Sequence, residues 1–305
     1  MKKTIYVIAG PTATGKSDFS IKLAKKINGV IINSDSMQVY KNLQILTARP
    51  TTSETKNIPH YMYGYIDAKE RYNVDKWCND AVAIIHQTSR NNFSPILVGG
   101  TGLYIDTLIN GLIDIPPIPE SIKKESEKII REFGKDFLIN QIKNFDPNSL
   151  KEVNVNDTVR IRRIWEIYES TGKKLSDWKL NKNKKFIENF NFKIFLFLPD
   201  RKKNYEIVNS RFINMIKNGA VEEVKKLLAL KLNTSLPVMR AHGVPEISKY
   251  LAHEINLDEC IDKGQQVTRN YVKRQHTWWN SSKLEIYKKF DKFPSEIDIN
   301  SIKFD

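Results

Sequence analysis

The stretch that most constrains the fold of this chain is residues 4–17, where a short apolar run leads directly into G-x-x-x-x-G-K-S. In this pattern Gly10 and Gly15 permit a tight turn whose backbone N–H groups converge on an anion, and Lys16 adds a positive charge. A helical pattern of apolar residues follows the loop. This order predicts an α/β fold with a P-loop NTPase-like parallel sheet core flanked by helices.

The loop predicts a diphosphate-binding site with a magnesium ligand. We expect the phosphate groups to be bound by Gly10, Pro11, Thr12, Ala13, Thr14, Gly15, Lys16 and Ser17. The Ser17 hydroxyl is the expected ligand of Mg²⁺, which is the cofactor that the sequence predicts. Any diphosphate with Mg²⁺ satisfies the same donors. ATP-dependent kinases, other nucleotide-binding proteins and enzymes with a diphosphate leaving group therefore all remain open.

A carboxylate is predicted to lie beside this loop. Residues 29–33 read as an apolar strand that delivers Asp35 to its carboxyl end, the edge at which open α/β sheets bind ligands. There Asp35 can hold Mg²⁺ or act as a general base toward a nucleophile bound above the phosphates. The alternative is a structural aspartate that forms an Asx turn or caps the next segment.

Two further strand patterns end in polar or small residues. Residues 95–98 are followed by a second glycine-rich turn at residues 99–102, where small residues would let a ligand approach closely or would mark a plain strand-to-helix turn. Residues 192–198 form the fourth strand pattern. In the helix that follows, Arg211 lies at the border of an apolar stripe, which suits bidentate phosphate recognition or an interhelical ion pair.

A proline-rich break at residues 115–119 divides the chain. We predict a P-loop core over residues 1–116, a small all-helical insertion domain over residues 117–190, and a return to the core over residues 191–305 with C-terminal RNA-binding helices. Residues 181–191 read as a polar linker.

One helix of the insertion, which begins after Asp157, carries Arg160, Arg162 and Arg163. These arginines either contact an anionic substrate or form a salt-bridged face, for which Glu166 is placed four residues after Arg162.

Nucleic acid is the leading candidate partner by charge. The chain has 49 Lys and Arg against 35 Asp and Glu, a net charge of +14, although an abundance of lysine throughout the chain accounts for part of it. On the helix predicted near residues 268–279, Arg269, Lys273 and His276 share one face and Tyr271 lies nearly opposite. We therefore expect one face to pack and the other to meet phosphates, with His276 a surface or packing residue.

Cysteine content and hydropathy bear on location. The two cysteines are far apart in sequence and fit neither a disulfide framework nor a zinc site. No apolar stretch approaches the length of a membrane span. We expect a cytoplasmic monomer with no membrane contact.

Several motifs in order resemble one family. The segments G-P-T-A-T-G-K-S, D-S-x-Q-x-Y, G-G-T-G-L-Y, R-F-x-x-M, M-x-A-x-G-x-x-E and T-R-x-Y-x-K-R-Q-x-T-W-W are similar to those of tRNA dimethylallyltransferases, also called tRNA isopentenyltransferases. The insertion segment N-D-x-x-R-x-x-R-x-x-E also resembles that family. The resemblance covers about residues 5–280. Gln44 and Leu46 depart from the family's usual D-I-G-T-A-K-P.

The resemblance implies transfer of a dimethylallyl group from dimethylallyl diphosphate to the N6 amine of adenosine 37 in the tRNA anticodon stem-loop. It implies catalytic roles for Asp35, Thr101 and Arg211, with Arg211 neutralising the departing diphosphate. The tRNA contacts it implies are Asp35, Ser36, Met37, Gln38, Thr101, Lys123, Val159, Arg160, Ile161, Arg162, Arg163, Arg269 and Lys273.

Two other classes fit parts of the pattern. In a P-loop kinase of a nucleoside or small metabolite, Arg160 and Arg163 would close over ATP. In a nucleotide-gated RNA-binding module, the basic helix would bind RNA without catalysis. Of the three classes, a prenyltransferase alone would transfer label from dimethylallyl diphosphate to tRNA.

Overall fold

The computed structural model describes residues 2–181 and 184–304, so Lys182 and Asn183 of the predicted linker lie outside the described residues. One sheet of six parallel strands organises the chain, in the order β3-β2-β4-β1-β5-β6. The strands are β1 (Lys3–Ala9), β2 (Gly29–Asn33), β3 (His60–Tyr61), β4 (Ser94–Gly99), β5 (Phe190–Phe197) and β6 (Lys288–Phe290). The predicted α/β class with a parallel, P-loop NTPase-like sheet is confirmed.

The sheet places three loops at one edge. Strand β1 lies between β4 and β5, and its last residue, Ala9, is in register with Gly99 of β4 and Leu196 of β5. Strand β2 pairs with β4 on the other side, so that Asn33 is in register with Val98. Because parallel strands end at the same edge, the residues after β1, β2 and β4 converge there.

Helices cover both faces of this sheet, and the two apolar layers form the core. Phe19 and Leu23 of α1 pack on one face, whereas Trp77 and Ile85 of α2 pack on the other. The α-helices of the chain outside residues 111–185 are α1 (Lys16–Ile27), α2 (Val74–Arg90), α3 (Gly102–Asn110), α9 (Arg201–Lys217), α10 (Ala220–Ala229), α11 (Val244–Leu251) and α12 (Leu257–Ser281). Cys78 and Cys260 are buried and free.

Residues 2–109 and 186–304 form one compact unit, and residues 110–181, 184 and 185 form a second. Its helices are α4 (Glu120–Phe133), α5 (Lys135–Phe145), α6 (Pro147–Lys151), α7 (Thr158–Thr171) and α8 (Leu175–Trp178). Its own core contains Leu138, Ile142, Ile161, Ile164 and Trp165. The caps of α7 are those expected: the Asp157 side chain accepts from the Arg160 N–H, and Gly172 ends the helix with φ 67°.

Two strands were not predicted from the sequence. Strand β3 has two residues and β6 has three, so neither is long enough to display an alternating or continuous apolar pattern. Both join the sheet through pairing with a stronger neighbour, β2 or β5. No helix in residues 2–181 and 184–304 has the length and apolarity needed to cross a membrane.

Candidate active site

The loop after β1 has the backbone of an anion-binding turn. Gly10, Ala13 and Gly15 have positive φ angles of 145°, 61° and 90°. At Gly10 a Cβ atom would lie 2.2 Å from the Phe197 carbonyl oxygen, so no larger residue fits there. The motif therefore forms the tight turn predicted from its glycines.

Lys16 is folded back on this loop. Its Nζ donates to the Pro11 carbonyl, 2.5 Å away, and the ammonium is buried. Burial lowers the pKa of Lys16 to about 7, although the Asp35 carboxylate acts in the opposite direction. A lysine held in this way gains its charge most readily when an anion enters the loop.

Asp35 uses one carboxylate oxygen for structure and leaves the other available. Its Oδ1 accepts from the backbone N–H groups of Met37 and Gln38, at 2.8 and 3.2 Å. The Asn33 side chain accepts from the Asp35 N–H at 2.8 Å. No hydrogen bond to Oδ2 is found within the part of the chain that the structure describes. The Asx turn and the site carboxylate, weighed as alternatives from the sequence, are thus compatible in one residue.

Two adjoining cavities meet at the carboxyl edge of the sheet. The smaller, about 140 Å³, is lined by the loop residues 12–17 together with Gln38 and Gln275. The larger, about 250 Å³, has an apolar wall. That wall consists of Met37, Leu46, Val208, Phe212, Met215 and Ala241. Thr12, Asp35 and Arg211 line both cavities. An anion site and an apolar site therefore share a carboxylate and an arginine.

Arg211 projects from α9 to the boundary of these cavities. Burial lowers its pKa, and the carboxylates of Asp35 and Glu54 counteract this effect. Among the described residues, no carboxylate lies within 4.0 Å of the guanidinium, so the interhelical ion pair considered from the sequence is absent there. Its donors are available to an anion in the loop.

The second glycine-rich turn packs more tightly than the sequence suggested. A Cβ atom at Gly100 would lie 2.2 Å from the Gln275 amide nitrogen, and one at Gly102 would lie 2.1 Å from the Trp278 ring. Helix α12 therefore occupies the space beside Gly100 and Gly102, as in the plain strand-to-helix turn considered from the sequence. Gly99 and Gly100 nevertheless line the smaller cavity.

Thr101 supports the loop that carries Asp35. Its hydroxyl accepts from the Ser36 N–H at 3.2 Å, and it does not line either cavity. Of the neighbouring residues predicted to contact tRNA, Ser36 and Met37 line the larger cavity. The Gln38 amide donates to the carbonyls of Thr47 and Ala48, at 2.9 and 3.2 Å.

Glu223 holds in place residues 44–46, the loop in which Gln44 and Leu46 depart from the family's usual sequence. From α10, its carboxylate accepts from the N–H groups of Gln44, Ile45 and Leu46, at 2.6, 2.8 and 3.0 Å. Leu46 then faces the larger cavity. Sequence reasoning missed this contact because 179 positions separate Glu223 from Gln44.

Helix α12 contacts the loop directly through Gln275. The Gln275 Oε1 accepts from the Thr12 N–H at 2.9 Å, and its Nε2 donates to the Gly100 carbonyl at 3.0 Å. Sequence reasoning did not single out this residue. Its buried amide joins the two glycine-rich turns.

The predicted faces of α12 are wrong in part. His276 is buried together with Val272 and Trp279, because these positions recur at helical spacing on the packed side. Arg269 is half-buried and donates to the Asn209 side chain on α9 at 2.7 Å. Of Arg269 and Lys273, the two residues of this helix expected to contact tRNA, Lys273 is the exposed one, and the burial of His276 agrees with its prediction as a packing residue.

Sequence reasoning also missed a cluster of three polar residues in the larger cavity. His242, Tyr271 and Arg274 line it together. The rings of His242 and Tyr271 lie 4.5 Å apart between centroids, and the Arg274 Nη2 donates to the His242 Nε2 at 3.3 Å. The sequence motifs contained these residues, but nothing in their spacing indicated that they meet.

In the second unit, α7 divides the predicted tRNA contacts into exposed and internal ones. Val159 is 72% exposed, and the side chain of Arg160 is 70% exposed and pairs with Asp157 at 3.2 Å. Ile161 is fully buried in the core of this unit, so its side chain is not available to RNA, which corrects that prediction. Residues three positions apart lie on the same face of a helix, so Ile161 is buried in this core beside Ile164. Arg163 is exposed.

Arg162 belongs to an internal network. Its guanidinium lies 3.1 Å from the carboxylates of both Glu127 and Glu166, and its Nε donates to the Ser126 hydroxyl at 3.0 Å. The salt-bridged alternative therefore describes Arg162. Lys123, on α4, lies 3.4 Å from Glu120.

The donor set fits a magnesium ion held largely by its substrate. The Ser17 side chain is exposed at the start of α1, and both Ser17 and Asp35 line the smaller cavity. No group of three or more His, Cys, Asp or Glu side chains that could hold a metal occurs in residues 2–181 and 184–304. Mg²⁺ typically takes one or two protein ligands and completes its shell with phosphate oxygens and water, so the residues present suit it.

A strand that runs into a phosphate-binding loop, at the edge of a parallel sheet, places this chain in the P-loop class of α/β proteins. Comparison with known proteins narrows the class. The family model described as IPP transferase matches residues 38–282, and the one described as isopentenyl transferase matches residues 3–70. The chain belongs to the IPP transferase family of prenyl-transferring enzymes.

Relatives of the chain are similar over most of their length. The tRNA dimethylallyltransferase of a Wolbachia strain from Drosophila simulans is 42% identical and covers 93% of this chain and 95% of its own length. That of Ehrlichia ruminantium is 40% identical, with 91% of each chain covered.

Solved structures agree with this. The tRNA isopentenylpyrophosphate transferase of Bacillus halodurans has a TM-score of 0.70 and 29% identity, and covers 98% of this chain and 92% of its own. A eukaryotic dimethylallyltransferase acting on tRNA has a TM-score of 0.76 and 32% identity, and the match covers 90% of this chain and 69% of the eukaryotic chain.

Proposed function

We propose that this protein transfers a dimethylallyl group from dimethylallyl diphosphate to the N6 amine of adenosine 37, beside the tRNA anticodon, and releases diphosphate. The observation that carries this proposal is the pair of adjoining cavities that share Thr12, Asp35 and Arg211. A prenyl diphosphate has an anionic head and an apolar tail, and the two cavities differ in the same way. Membership of the family supports the same reaction.

The phosphate-binding loop serves a leaving group in this proposal. The diphosphate lies on the loop, and Lys16 and Arg211 stabilise the negative charge that grows as the carbon–oxygen bond breaks. Lys16 is buried and Arg211 is half-buried, so their interaction with that charge is screened less than it would be in water. Ser17 would hold Mg²⁺, which would supply further charge stabilisation to the leaving diphosphate when bound.

Asp35 acts on the attacking amine. The free Oδ2 accepts a hydrogen bond from N6 and orients the nitrogen toward the allylic carbon. As the new N–C bond forms, N6 becomes positively charged and gives its proton to this carboxylate. The electron pair of the broken C–O bond leaves with the diphosphate, so one bond forms, one breaks and one proton moves.

The net charge of +14 and the exposed basic side chains support tRNA as the acceptor. Lys273 on α12 and Arg160 and Arg163 on α7 are exposed and suit phosphate contacts. The target base leaves its stack to reach the larger cavity, which is comparatively easy in a single-stranded loop. The two buried, free cysteines support a reducing compartment such as the cytoplasm.

The test is incubation of the protein with an anticodon stem-loop RNA, Mg²⁺ and either dimethylallyl diphosphate labelled in its prenyl group or ATP labelled in its γ-phosphate. We expect label in the RNA from the prenyl donor alone, at position 37. Label from ATP in RNA or in a small acceptor would support the kinase alternative and contradict the proposal.

A further inference from the structure

We infer that His242 is a specificity-determining residue of the larger cavity, which donates a hydrogen bond from Nδ1 to a ring nitrogen of the target adenine beside its N6 amine. The inference rests on the proposed function. It concerns how the cavity reads the base that Asp35 activates.

The tautomer of His242 follows from its partner. A guanidinium has only N–H donors, so the Arg274 Nη2, 3.3 Å from the His242 Nε2, requires that Nε2 accept. Burial and the charge of Arg274 also lower the pKa of His242 to about 4, so the ring is neutral at pH 7. A neutral ring with an accepting Nε2 carries its proton on Nδ1. Arg274 is thus a positioning residue.

The ring is held in place on two sides. It lies against Tyr271 with centroids 4.5 Å apart, and Arg274 lies over the same tyrosine ring at 5.7 Å from its centroid. The next residue, Gly243, is fixed at the start of α11, where its N–H donates to the Glu246 carboxylate at 3.1 Å. No hydrogen bond from the His242 Nδ1 is found among residues 2–181 and 184–304, and His242 lines the cavity. A donor is therefore available to a ligand.

The cavity presents an acceptor and a donor in the pattern that adenine requires. Asp35 lies close enough for its carboxylate to raise the pKa of His242 against the effect of burial, and both line the same cavity. Adenine offers a donor at N6 next to an acceptor, N1 on one edge and N7 on the other. Guanine has an accepting O6 in place of N6, which would face the carboxylate. An acceptor from Asp35 and a donor from His242 thus select adenine over guanine.

The test uses three anticodon stem-loops, with adenosine, 1-deazaadenosine or 7-deazaadenosine at position 37. They are combined with the wild-type enzyme, His242→Phe, His242→Asn and the control His86→Phe, whose histidine is exposed on α2. Single-turnover rates of label transfer from dimethylallyl diphosphate are measured. Pyrophosphate affinity serves as a check of folding, because His242 does not line the smaller cavity.

We expect one of the two deaza analogues to slow the wild-type enzyme by roughly 10- to 100-fold, the value of a lost base contact. On RNA with adenosine at position 37, His242→Phe should have a single-turnover rate that is lower than the wild-type rate by a similar factor. With that analogue, the rate of His242→Phe should fall no further. His242→Asn, which retains a donor, should recover part of the rate. His86→Phe should behave as the wild type does.

Two outcomes would overturn the inference. In the first, neither deaza substitution lowers the rate of the wild-type enzyme; in the second, the analogue lowers the rate of His242→Phe as much as it lowers the wild-type rate. Failure of the proposed function is distinguishable from both. In that case, the wild-type enzyme transfers no label to the unmodified stem-loop.

Discussion

At the scale of single residues, Asp35 forms an Asx turn and has the role of general base in the proposed reaction. Since Oδ1 accepts two backbone N–H groups, Asp35→Asn keeps that acceptor and removes the basic oxygen alone. We expect this variant to lower the single-turnover rate by about 10²- to 10⁴-fold, the usual value of a general base.

The matched control for this prediction is Asp35→Ala, which also removes the Asx acceptor. It should lower the unfolding free energy by about 1 kcal/mol, whereas Asp35→Asn should not. Thermal unfolding and RNA affinity measured beside the rate distinguish the two effects. A wild-type rate in Asp35→Asn would remove Asp35 from the reaction.

Lys16 makes ligand binding pH-dependent. Its pKa of about 7 in the free protein means that only about a tenth of the side chains are charged at pH 8. An anion in the loop restores the charge, so pyrophosphate binding at pH 8 should take up a proton at Lys16, and binding at pH 6 should not. Isothermal titration in buffers of different ionisation enthalpy measures this uptake.

The variant Lys16→Met corrects for the titration of pyrophosphate itself. The difference in proton uptake between wild type and variant should approach one proton at pH 8. Lys16 also affects the stability of the free protein. Between about pH 7 and 10.5 the unfolded chain keeps the Lys16 proton and the folded chain loses it, so the unfolding free energy rises with pH in this range. Equal uptake in both proteins would contradict the account.

At the scale of secondary structure elements, α12 is coupled to the phosphate-binding loop by Gln275. The variant Gln275→Leu leaves the Thr12 N–H unpaired, at a cost of about 1–3 kcal/mol for a buried group, and removes one of the two hydrogen bonds to the Gly100 carbonyl. We expect lower unfolding free energy and weaker pyrophosphate binding. The exposed Gln266→Leu, on the same helix, should change neither quantity.

Helix α7 carries Arg162, which has a structural role, and Arg163, which we propose binds tRNA. Arg162→Ala breaks contacts to Glu127, Glu166 and Ser126, and should lower the unfolding free energy by about 1.5–3 kcal/mol. Arg163→Ala should change stability by less than about 0.5 kcal/mol and lower the salt slope of tRNA binding by about one unit. The opposite pattern would reverse their assignment.

The elements that sequence could predict are those with local signals. The loop at residues 10–17, the four longer strands and the caps of α7 follow from glycine spacing, apolar runs and capping residues. The packed face of α12 was predicted incorrectly in part, because contacts with α9 and with the glycine-rich turn at residues 99–102 decide which side of the helix is buried.

The site was predictable only in part for the same reason. Asp35, Lys16 and Arg211 each follow or adjoin a recognisable strand, loop or stripe. Glu223, His242 and Gln275 act through contacts with residues far away in sequence, and no local pattern marks them.

At the scale of the whole molecule, the central claim is that a loop typical of nucleotide-binding proteins holds a diphosphate as it leaves. The apolar wall of the adjoining cavity and the shared Asp35 and Arg211 support this claim.

The most direct test is the stoichiometry of a single turnover with stem-loop RNA, dimethylallyl diphosphate, Mg²⁺ and ATP present together. The account predicts one inorganic diphosphate released for each dimethylallyl group joined to adenosine 37, at the same rate, with ATP unchanged. Consumption of ATP in step with the reaction, or prenyl transfer without an equal release of diphosphate, would contradict it.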